Sequence, residues 1–435
     1  MEQAAEARAL FSGVGQFSNC VIKSLQLALS CMHETYELSQ AQNATNDRVK
    51  EQYTLAIKHA KHLLDRKDNG IDHLERVLTT CTLFATYETV AGNYSAAAVH
   101  FQSGRDILKE HSHSLPDHSD KSALCEISHM LAHLDMQAMV FADESSPYKY
   151  DSSPPEPLEM VPILDSLTKA RDVIVNIIRH VMWTVNIFEI FHLQLPRSEE
   201  VTNFAPTLVD VYSRQADCIQ AIENWWRAFH TLDIRLQESP GGLVLRMHAM
   251  SAQFLVRCLG NPSEADWDGY MSQFQEIVRM GEKLPSQPQG AESGTTPGGA
   301  PSWTYRGPAF TPIPETGPIM PLFLTAIKCR DPLLRQKALD ILHSINRKES
   351  AWESLAAAKV ATLVIEAEEG LVSGPVNRAN DVTDDKRCAY MKLLVRMRQR
   401  EIDMQAYMRN GTMLATQLSR DSTARVQAFR PVREL

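Results

Sequence analysis

Three side chains that could bind a metal recur at four-residue intervals in one segment of the sequence: Cys125, His129 and His133. On a helix this spacing places all three on one face, and thiolate and imidazole groups are zinc ligands. Residues eight positions apart on a helix are separated by about 12 Å along its axis, whereas zinc–ligand bonds are about 2 Å long, so at most two of these side chains can share an ion. We therefore predict no metal site and interpret the segment as a histidine-rich, partly exposed face. The other histidines nearby are expected at the surface: His100, His111, His113 and His118.

A second group of residues with potential chemistry is basic and lies near the C-terminus. Residues 371–435 contain twelve Lys or Arg and seven Asp or Glu, a net charge of +5 in a chain of −9, which leaves −14 on the remainder. We expect a last long helix at about 384–418. It would carry Lys386, Arg387, Lys392, Arg396, Arg398, Arg400 and Arg409. Phosphates or an acidic partner could bind such a helix, but interleaved acidic residues favour a solvated face, and no sequence-specific DNA contact is expected from this chain.

Signatures of catalysis are missing from the sequence. His33 and Glu34 begin like the HExxH helix of zinc peptidases, but the second histidine is replaced by Glu37. The sequence also has no glycine-rich dinucleotide fingerprint after a strand, no phosphate-binding lysine loop and no G-x-S-x-G elbow. We predict no catalytic, cofactor-binding or metal-ligating residues and a protein that is not an enzyme.

Length and cysteine usage indicate the class of protein. A chain of 435 residues is too long for one ordinary core, and its 44% hydrophobic content is typical of globular proteins. The eight cysteines include no CxxC pair, which favours a reducing compartment, either nucleus or cytosol. The N-terminal residues do not resemble a secretory signal. The apolar stretch 173–195 is interrupted by charged and amide side chains, which predicts a buried helix and not a membrane span.

Apolar residues recur at intervals of three and four along most of the chain, which is the pattern of amphipathic helices. Three helices are expected within 53–111, separated by turns at Asn69-Gly70 and Gly92-Asn93. Further helices are expected at 17–40, 119–142, 163–195, 206–237, 243–259 and 264–283. Several helix boundaries are indicated by capping residues: Ser263, Asp331-Pro332, a Ser350/Glu353 capping box, and Gly370 at a C-terminus. The adjacent Trp225 and Trp226 cannot both face one core, so one is expected to pack across to another helix.

The predicted fold class is all-α, with helical hairpins packed as an irregular α-α array and one long Pro/Gly-rich loop. The expected organisation has five parts: an N-terminal helical hairpin region (1–143), a Pro/Ser-rich linker (144–162), a central helical region (163–283), a Pro/Gly-rich loop expected to be disordered (284–318), and a C-terminal helical region with the basic tail (319–435).

Several spaced motifs together resemble the regulatory (middle-homology) region of fungal zinc-cluster transcription factors. They are Tyr53-x-x-Ala56-Ile57, Leu83-Phe84, Gly92-Asn93-Tyr94-x-x-Ala97, Phe101-x-x-Gly104, Ile107-Leu108, Leu134-Asp135-x-Gln137-Ala138-x-x-Phe141, Trp226-x-x-Phe229, Cys329-Arg330-Asp331-Pro332, Arg335-x-x-Ala338-Leu339-x-x-Leu342 and Trp352 to Gly370. The resemblance extends over about residues 20–370. It implies a helical regulatory domain and a role in transcription.

One feature of that family is not found in this sequence. The resemblance implies an N-terminal module of six cysteines that holds two zinc ions and reads DNA, and no such cysteine cluster is present. Either the module has been lost or this sequence begins downstream of it, and no DNA-reading residue is assigned. We therefore expect a nuclear regulator that acts through protein contacts, including contacts with an intact DNA-binding factor, or through a small effector. Control of a secondary-metabolite gene cluster is a further expectation from the resemblance. The alternative is a cytosolic tetratricopeptide-like scaffold, although no repeat of about 34 residues recurs.

Overall fold

The computed structural model of the protein describes fifteen parts of the chain: 42–64, 70–91, 93–111, 123–140, 155, 158, 163–192, 208–261, 263–284, 309–310, 317–345, 347–349, 352–396, 401–419 and 425–431. The helix expected at 17–40 and the His33-Glu34 pair lie outside the described residues, as do most of 144–162 and most of 284–318. The chain divides into two compact units, which we call unit 1 (1–137, 288–315 and 347–351) and unit 2 (138–287, 316–346 and 352–435).

Unit 1 is built mainly from helices that each bury one apolar stripe. In chain order they are α1 (Gln42–Leu64), α2 (Ile71–Ala91), α3 (Tyr94–Glu110) and α4 (Ala123–Val140), the last of which belongs to unit 1 as far as residue 137. Gly104 lies at a close contact between α3 and α4, because a Cβ atom at this position would be only 3.1 Å from Leu131 Cδ2. Strand β1 (Ala309–Phe310) pairs in parallel with β2 (Arg347–Glu349).

Helix α2 is buried on most of its circumference although it contains several threonines. Their hydroxyls donate to the carbonyl four residues earlier, as Thr82 Oγ1 does to Leu78 O at 2.9 Å. Buried polar groups need such partners, and this internal bonding lets a polar sequence occupy the centre of the α2–α3 hairpin. The same bond is made by Thr79, Thr80, Thr86 and Thr89.

Unit 2 begins with helices α5 (Leu167–His192), α6 (Leu208–Phe229), α7 (Ile234–Gln237) and α8 (Pro240–Arg257). Trp225 of α6 is fully buried, and its indole Nε1 donates to Ala170 O on α5 at 2.9 Å. Trp226 is half-buried and stacks on His230. The two adjacent tryptophans therefore face different surroundings, as the sequence predicts.

The second part of unit 2 surrounds one continuous apolar core. A 3-10 helix (Glu264–Tyr270) leads into α9 (Met271–Lys283), followed by α10 (Ile319–Lys328), α11 (Pro332–Ile345), the short strand β3 (Trp352–Glu353) and α12 (Ser354–Gly370). Two predicted caps are confirmed, since Ser263 Oγ accepts from Ala265 N at 3.0 Å and Asp331 Oδ1 accepts from Leu334 N at 3.0 Å.

The predicted capping box at Ser350 and Glu353 is wrong. Helix α12 begins at Ser354, and the side chain of its N-cap residue Glu353 makes no capping hydrogen bond. The helix does end at Gly370 as expected, but Gly370 is its last residue and the C-cap is Leu371.

The last part of unit 2 is an antiparallel sheet, so the predicted helix at 384–418 is wrong. Its strands pair in chain order: β4 (Cys388–Arg396), β5 (Glu401–Met408), β6 (Thr412–Ser419) and β7 (Arg425–Pro431). Apolar residues alternate along β5 at Ile402, Met404 and Ala406, the period of a strand with one buried face. Asn410-Gly411, with Gly411 at a φ of 80°, forms the turn between β5 and β6.

The expected all-α class is confirmed for most of the described chain, and the C-terminal sheet is the main exception. No helix within the described ranges combines the length and apolar character needed to cross a membrane.

Candidate functional site

A buried carboxylate connects the first three helices of unit 1. Glu88 on α2 is only 5% exposed. Its carboxylate accepts a short hydrogen bond from Tyr53 of α1 and a second one, at 2.7 Å, from the side-chain amide of Asn93, which precedes α3. The backbone N of Asn93 also donates to Glu88 O at 2.8 Å. Asn93 of the predicted Gly92-Asn93 turn is therefore attached to α2 through one acidic residue, whereas Gly92 lies outside the described residues.

Aromatic rings surround this carboxylate. Tyr53 stacks on Tyr87 with ring centroids 4.4 Å apart and meets Phe84 edge-on at 5.5 Å. Phe84 in turn stacks on His100 of α3 at 5.0 Å. The expectation of a surface position is thus wrong for His100, which is half-buried. Such ring pairs contribute about 0.5–1.5 kcal/mol each beyond their burial, so the cluster helps to hold α1, α2 and α3 together.

Burial and the charge of Glu88 shift the pKa values of these rings. Burial, followed by the hydrogen bond to Glu88, raises the pKa of Tyr53. Burial also raises the pKa of Tyr87 to about 12, and the Glu88 charge adds to this effect. The pKa of His100 is lowered by burial, which the nearby Glu88 charge opposes only in part. The tyrosines are therefore neutral hydrogen-bonding groups at physiological pH, and His100 is predominantly uncharged.

Removing the Tyr53 hydroxyl tests how much this cluster contributes to stability. In Tyr53→Phe the Glu88 carboxylate remains buried with one donor fewer, which typically costs about 1–3 kcal/mol. We expect faster amide hydrogen exchange throughout α2 and the start of α3. Tyr87→Phe is the matched control, because it removes a hydroxyl from the stacked ring but keeps the Tyr53–Glu88 bond. Equal exchange rates in the two variants would contradict a special role for that bond.

The three potential metal ligands of α4 are placed in two different environments. Cys125 Sγ lies 3.9 Å from His129 Nε2, and both side chains are partly exposed as expected. His133 is buried instead. Within the described segments, no group of three or more His, Cys, Asp or Glu side chains is arranged to hold a metal ion. His111 lies at the end of α3, whereas His113 and His118 fall outside the described residues.

The basic residues expected on one helix are distributed over a turn and a sheet. Arg387 is buried and contacts both carboxylate oxygens of Asp268 at 3.0 and 2.7 Å. It also donates to Glu264 O at 3.0 Å and to Val382 O at 2.9 Å. This guanidinium therefore joins the 3-10 helix to the start of the sheet and is not available to a phosphate.

The remaining members of that group occupy several elements. Lys386 lies in a short 3-10 turn, Lys392 and Arg396 are on β4, and Arg409 follows β5 with its Nε 3.9 Å from Asp384 Oδ2. Arg398 and Arg400 are outside the described residues.

A buried charge network in unit 2 was not predicted from the sequence. Glu368 of α12 is fully buried, and its Oε1 accepts from Arg330 Nη2 at 2.9 Å and from Cys388 N at 2.8 Å. Its other oxygen pairs with Arg335 of α11. Arg330 also contacts Glu264 at 3.1 Å. Opposite charges balance within this network, so it joins helices to the first strand of the sheet.

The sequence contained an indirect signal for this network. The motif Cys329-Arg330-Asp331-Pro332 places a charged residue immediately before a helix cap, and Arg335 follows on the first turn of α11. Arg335 Nε also donates to Cys329 O at 2.6 Å. Lys and Arg are almost never fully buried unless they are paired, but the partner Glu368 is too distant in sequence to be identified without the fold.

Part of the chain is similar to a known protein family. Residues 21–153 match the family model of the fungal specific transcription factor domain. The resemblance inferred from the residues is confirmed over this part of the chain, which includes α1 to α4 and the Glu88 cluster. The fungal specific transcription factor domain indicates a transcriptional regulator, and its family is in general not enzymatic. No curated protein and no solved structure matches the chain.

Proposed function

We propose that this chain is a nuclear transcriptional regulator that acts through protein–protein contacts and reaches promoters by pairing with an intact DNA-binding factor. The observation that carries the proposal is the match of residues 21–153 to the fungal specific transcription factor domain. Around Glu88, the polar and aromatic side chains of this region contact one another across three helices. This supports a scaffold that presents its surface to a partner.

The charge distribution also supports recruitment through a partner. Residues 1–370 carry −14, since residues 371–435 carry +5 and the chain carries −9. A strongly acidic body is repelled by the DNA backbone and is suited to contact basic protein surfaces. Unit 1 also exposes several large apolar side chains, among them Val99 (60%) and Ile71 (57%), which a protein partner could cover.

The regulated genes are proposed on the resemblance alone. Members of the zinc-cluster family often accompany metabolic gene clusters, and we therefore propose control of a secondary-metabolite pathway.

Chromatin immunoprecipitation of the tagged full chain tests the proposal. We expect enrichment at promoters in cells that contain the zinc-cluster partner and loss of enrichment after that partner is deleted. Val99→Ser should weaken enrichment if α3 contributes to the contact, whereas Leu333→Ser, which alters an exposed residue on α11 of unit 2, serves as the matched control. Unchanged enrichment without any DNA-binding partner would refute the partner-dependent mechanism. Stable residence in the cytosol would favour the tetratricopeptide-like scaffold.

A further inference from the structure

The C-terminal sheet of unit 2 has two faces of different character. Met404, Ala406 and Met408 of β5 are buried in the core of unit 2, together with Leu414 of β6. The neighbouring residues Met391, Leu393 and Ile402 pack against the same core. Because successive side chains on a strand point to opposite faces, the alternate residues of β4, β5 and β6 form the other face.

Two tyrosines lie side by side on this second face. Tyr390 of β4 is directly opposite Tyr407 of β5 in the strand register, and their ring centroids are 5.9 Å apart. The Tyr407 hydroxyl donates to Oε1 of Gln405, an exposed residue that opposes Lys392. The face therefore combines two adjacent aromatic rings with the ammonium group of Lys392 and the amide of Gln405, each two residues further along its strand.

This face belongs to the most basic part of the chain. Residues 388–435 contain nine Lys or Arg and four Asp or Glu, a net charge of +5 in a chain of −9. Arg425 and Arg430 on β7 occupy the register positions opposite Gln417 and Met413. Of the basic residues expected on one helix, Lys392 lies on this face, opposite Gln405, and Asp403 is the next residue of β5 on the same face.

We propose that this face binds single-stranded nucleic acid, with unpaired bases stacking on Tyr390 and Tyr407 and with Lys392 close to the phosphates. A pair of aromatic rings beside a lysine, within the most basic stretch of the sequence, is complementary to a polyanion whose bases are accessible. A duplex is a poorer occupant, because its bases are already stacked inside the helix and cannot reach rings on a sheet. Binding of this kind has little sequence preference, so the choice of promoter would still be made by a partner. The inference does not depend on the proposed function.

Fluorescence anisotropy with the full chain tests this inference. The probes are a fluorescein-labelled mixed-sequence RNA and a DNA 20-mer, each single-stranded, and the corresponding DNA duplex. We expect binding of the single strands that weakens as salt increases, and weaker binding of the duplex. Tyr407→Leu should reduce single-strand affinity by at least about fivefold, the low end of the loss for one stacked base. Tyr212→Leu, which alters a tyrosine of α6 in the same unit that is 47% exposed, is the matched control and should bind like the wild type.

A second variant tests the contribution of the positive charge and leaves both aromatic rings in place. Lys392→Gln should weaken binding and lower the slope of log affinity against log salt by about one phosphate contact. Circular dichroism must show that each variant is folded. The inference would be overturned by undetectable single-strand binding at low salt, by equal affinity of Tyr407→Leu and wild type, by tighter binding of the duplex, or by tighter binding to phosphatidylserine vesicles than to either oligonucleotide.

Discussion

Glu368→Gln is expected to lower the free energy of unfolding of unit 2 by about 3–5 kcal/mol, the usual cost of removing one partner from a buried ion pair. The substitution keeps the shape of the side chain but leaves Arg330 and Arg335 as buried cations with only part of their counter-charge. It also weakens the acceptor for Cys388 N at the start of the sheet. Urea unfolding followed by tryptophan fluorescence measures the effect, since five of the six tryptophans are in unit 2.

Glu369→Gln is the matched control, since it makes the same change one residue later on α12. The Glu369 side chain is 38% exposed and 3.9 Å from Arg335, so we expect a change below about 1 kcal/mol. A similar loss in both variants would show that the network does not have the proposed role.

The free energy of unfolding measured at acidic pH provides an independent test of the role of Glu368. Burial by itself raises the pKa of this carboxyl, but Arg330, Arg335 and the hydrogen bonds it accepts outweigh burial and hold its pKa below the ordinary value. A carboxyl whose pKa is lower in the folded state than in the unfolded state stabilises the folded protein. This stabilisation is complete above the pKa of the unfolded state, about 4.3, and is lost as the pH falls through the pKa of the folded state. The difference in the free energy of unfolding between the wild type and Glu368→Gln should therefore become smaller below about pH 4.

Trp225→Ala is expected to have a comparably large effect, about 3–5 kcal/mol of unfolding free energy, as is typical of truncating a buried aromatic residue. The indole of Trp225 is fully buried, stacks on Phe229 at 4.6 Å and bonds to Ala170 O on α5. Its removal would leave a large cavity between α5 and α6 and would remove the hydrogen bond to Ala170 O. Circular dichroism during thermal unfolding should show a lower midpoint.

Substitution of the adjacent Trp226 separates the effect of burial from the effect of residue type. Trp226 is half-buried and stacks on His230 at 5.5 Å, so Trp226→Ala should cost about 1 kcal/mol. If Trp226→Ala were as destabilising as Trp225→Ala, the assignment of Trp225 to the core would be wrong. Trp225→Phe should lie between the two, because an aromatic ring still fills part of the site, whereas the bond to Ala170 and the remaining volume of the indole are lost.

Helical periodicity correctly predicted most elements of the described chain. The three segments within 53–111 correspond to α1, α2 and α3, and Ser263 and Asp331 begin helical segments as expected. These features are local: a stripe at intervals of three and four, or a side chain that caps the next turn, depends on residues within a few positions. The same local motifs led to the fungal specific transcription factor domain, which is confirmed for residues 21–153.

The C-terminal sheet is the part of the chain for which two local sequence patterns conflict. Residues 388–419 contain both helix-forming basic residues and an alternating apolar pattern, and only the latter matches the observed strands. The alternation could have been recognised from Ile402, Met404, Ala406 and Met408. The choice between the two patterns depended on whether a core was available to bury that face, which is a property of the packed unit.

By itself, the sequence determined the helical segments, their main caps, the family of residues 21–153 and the acidic character of the chain outside its basic tail. Only the tertiary structure decided which charged residues are buried together, that Glu88 connects three helices, and that Tyr390 lies beside Tyr407. The physical reason is sequence separation. Arg330 and Glu368 are 38 residues apart and Tyr53 and Glu88 are 35 apart, so these pairs form only after the elements that carry them have packed.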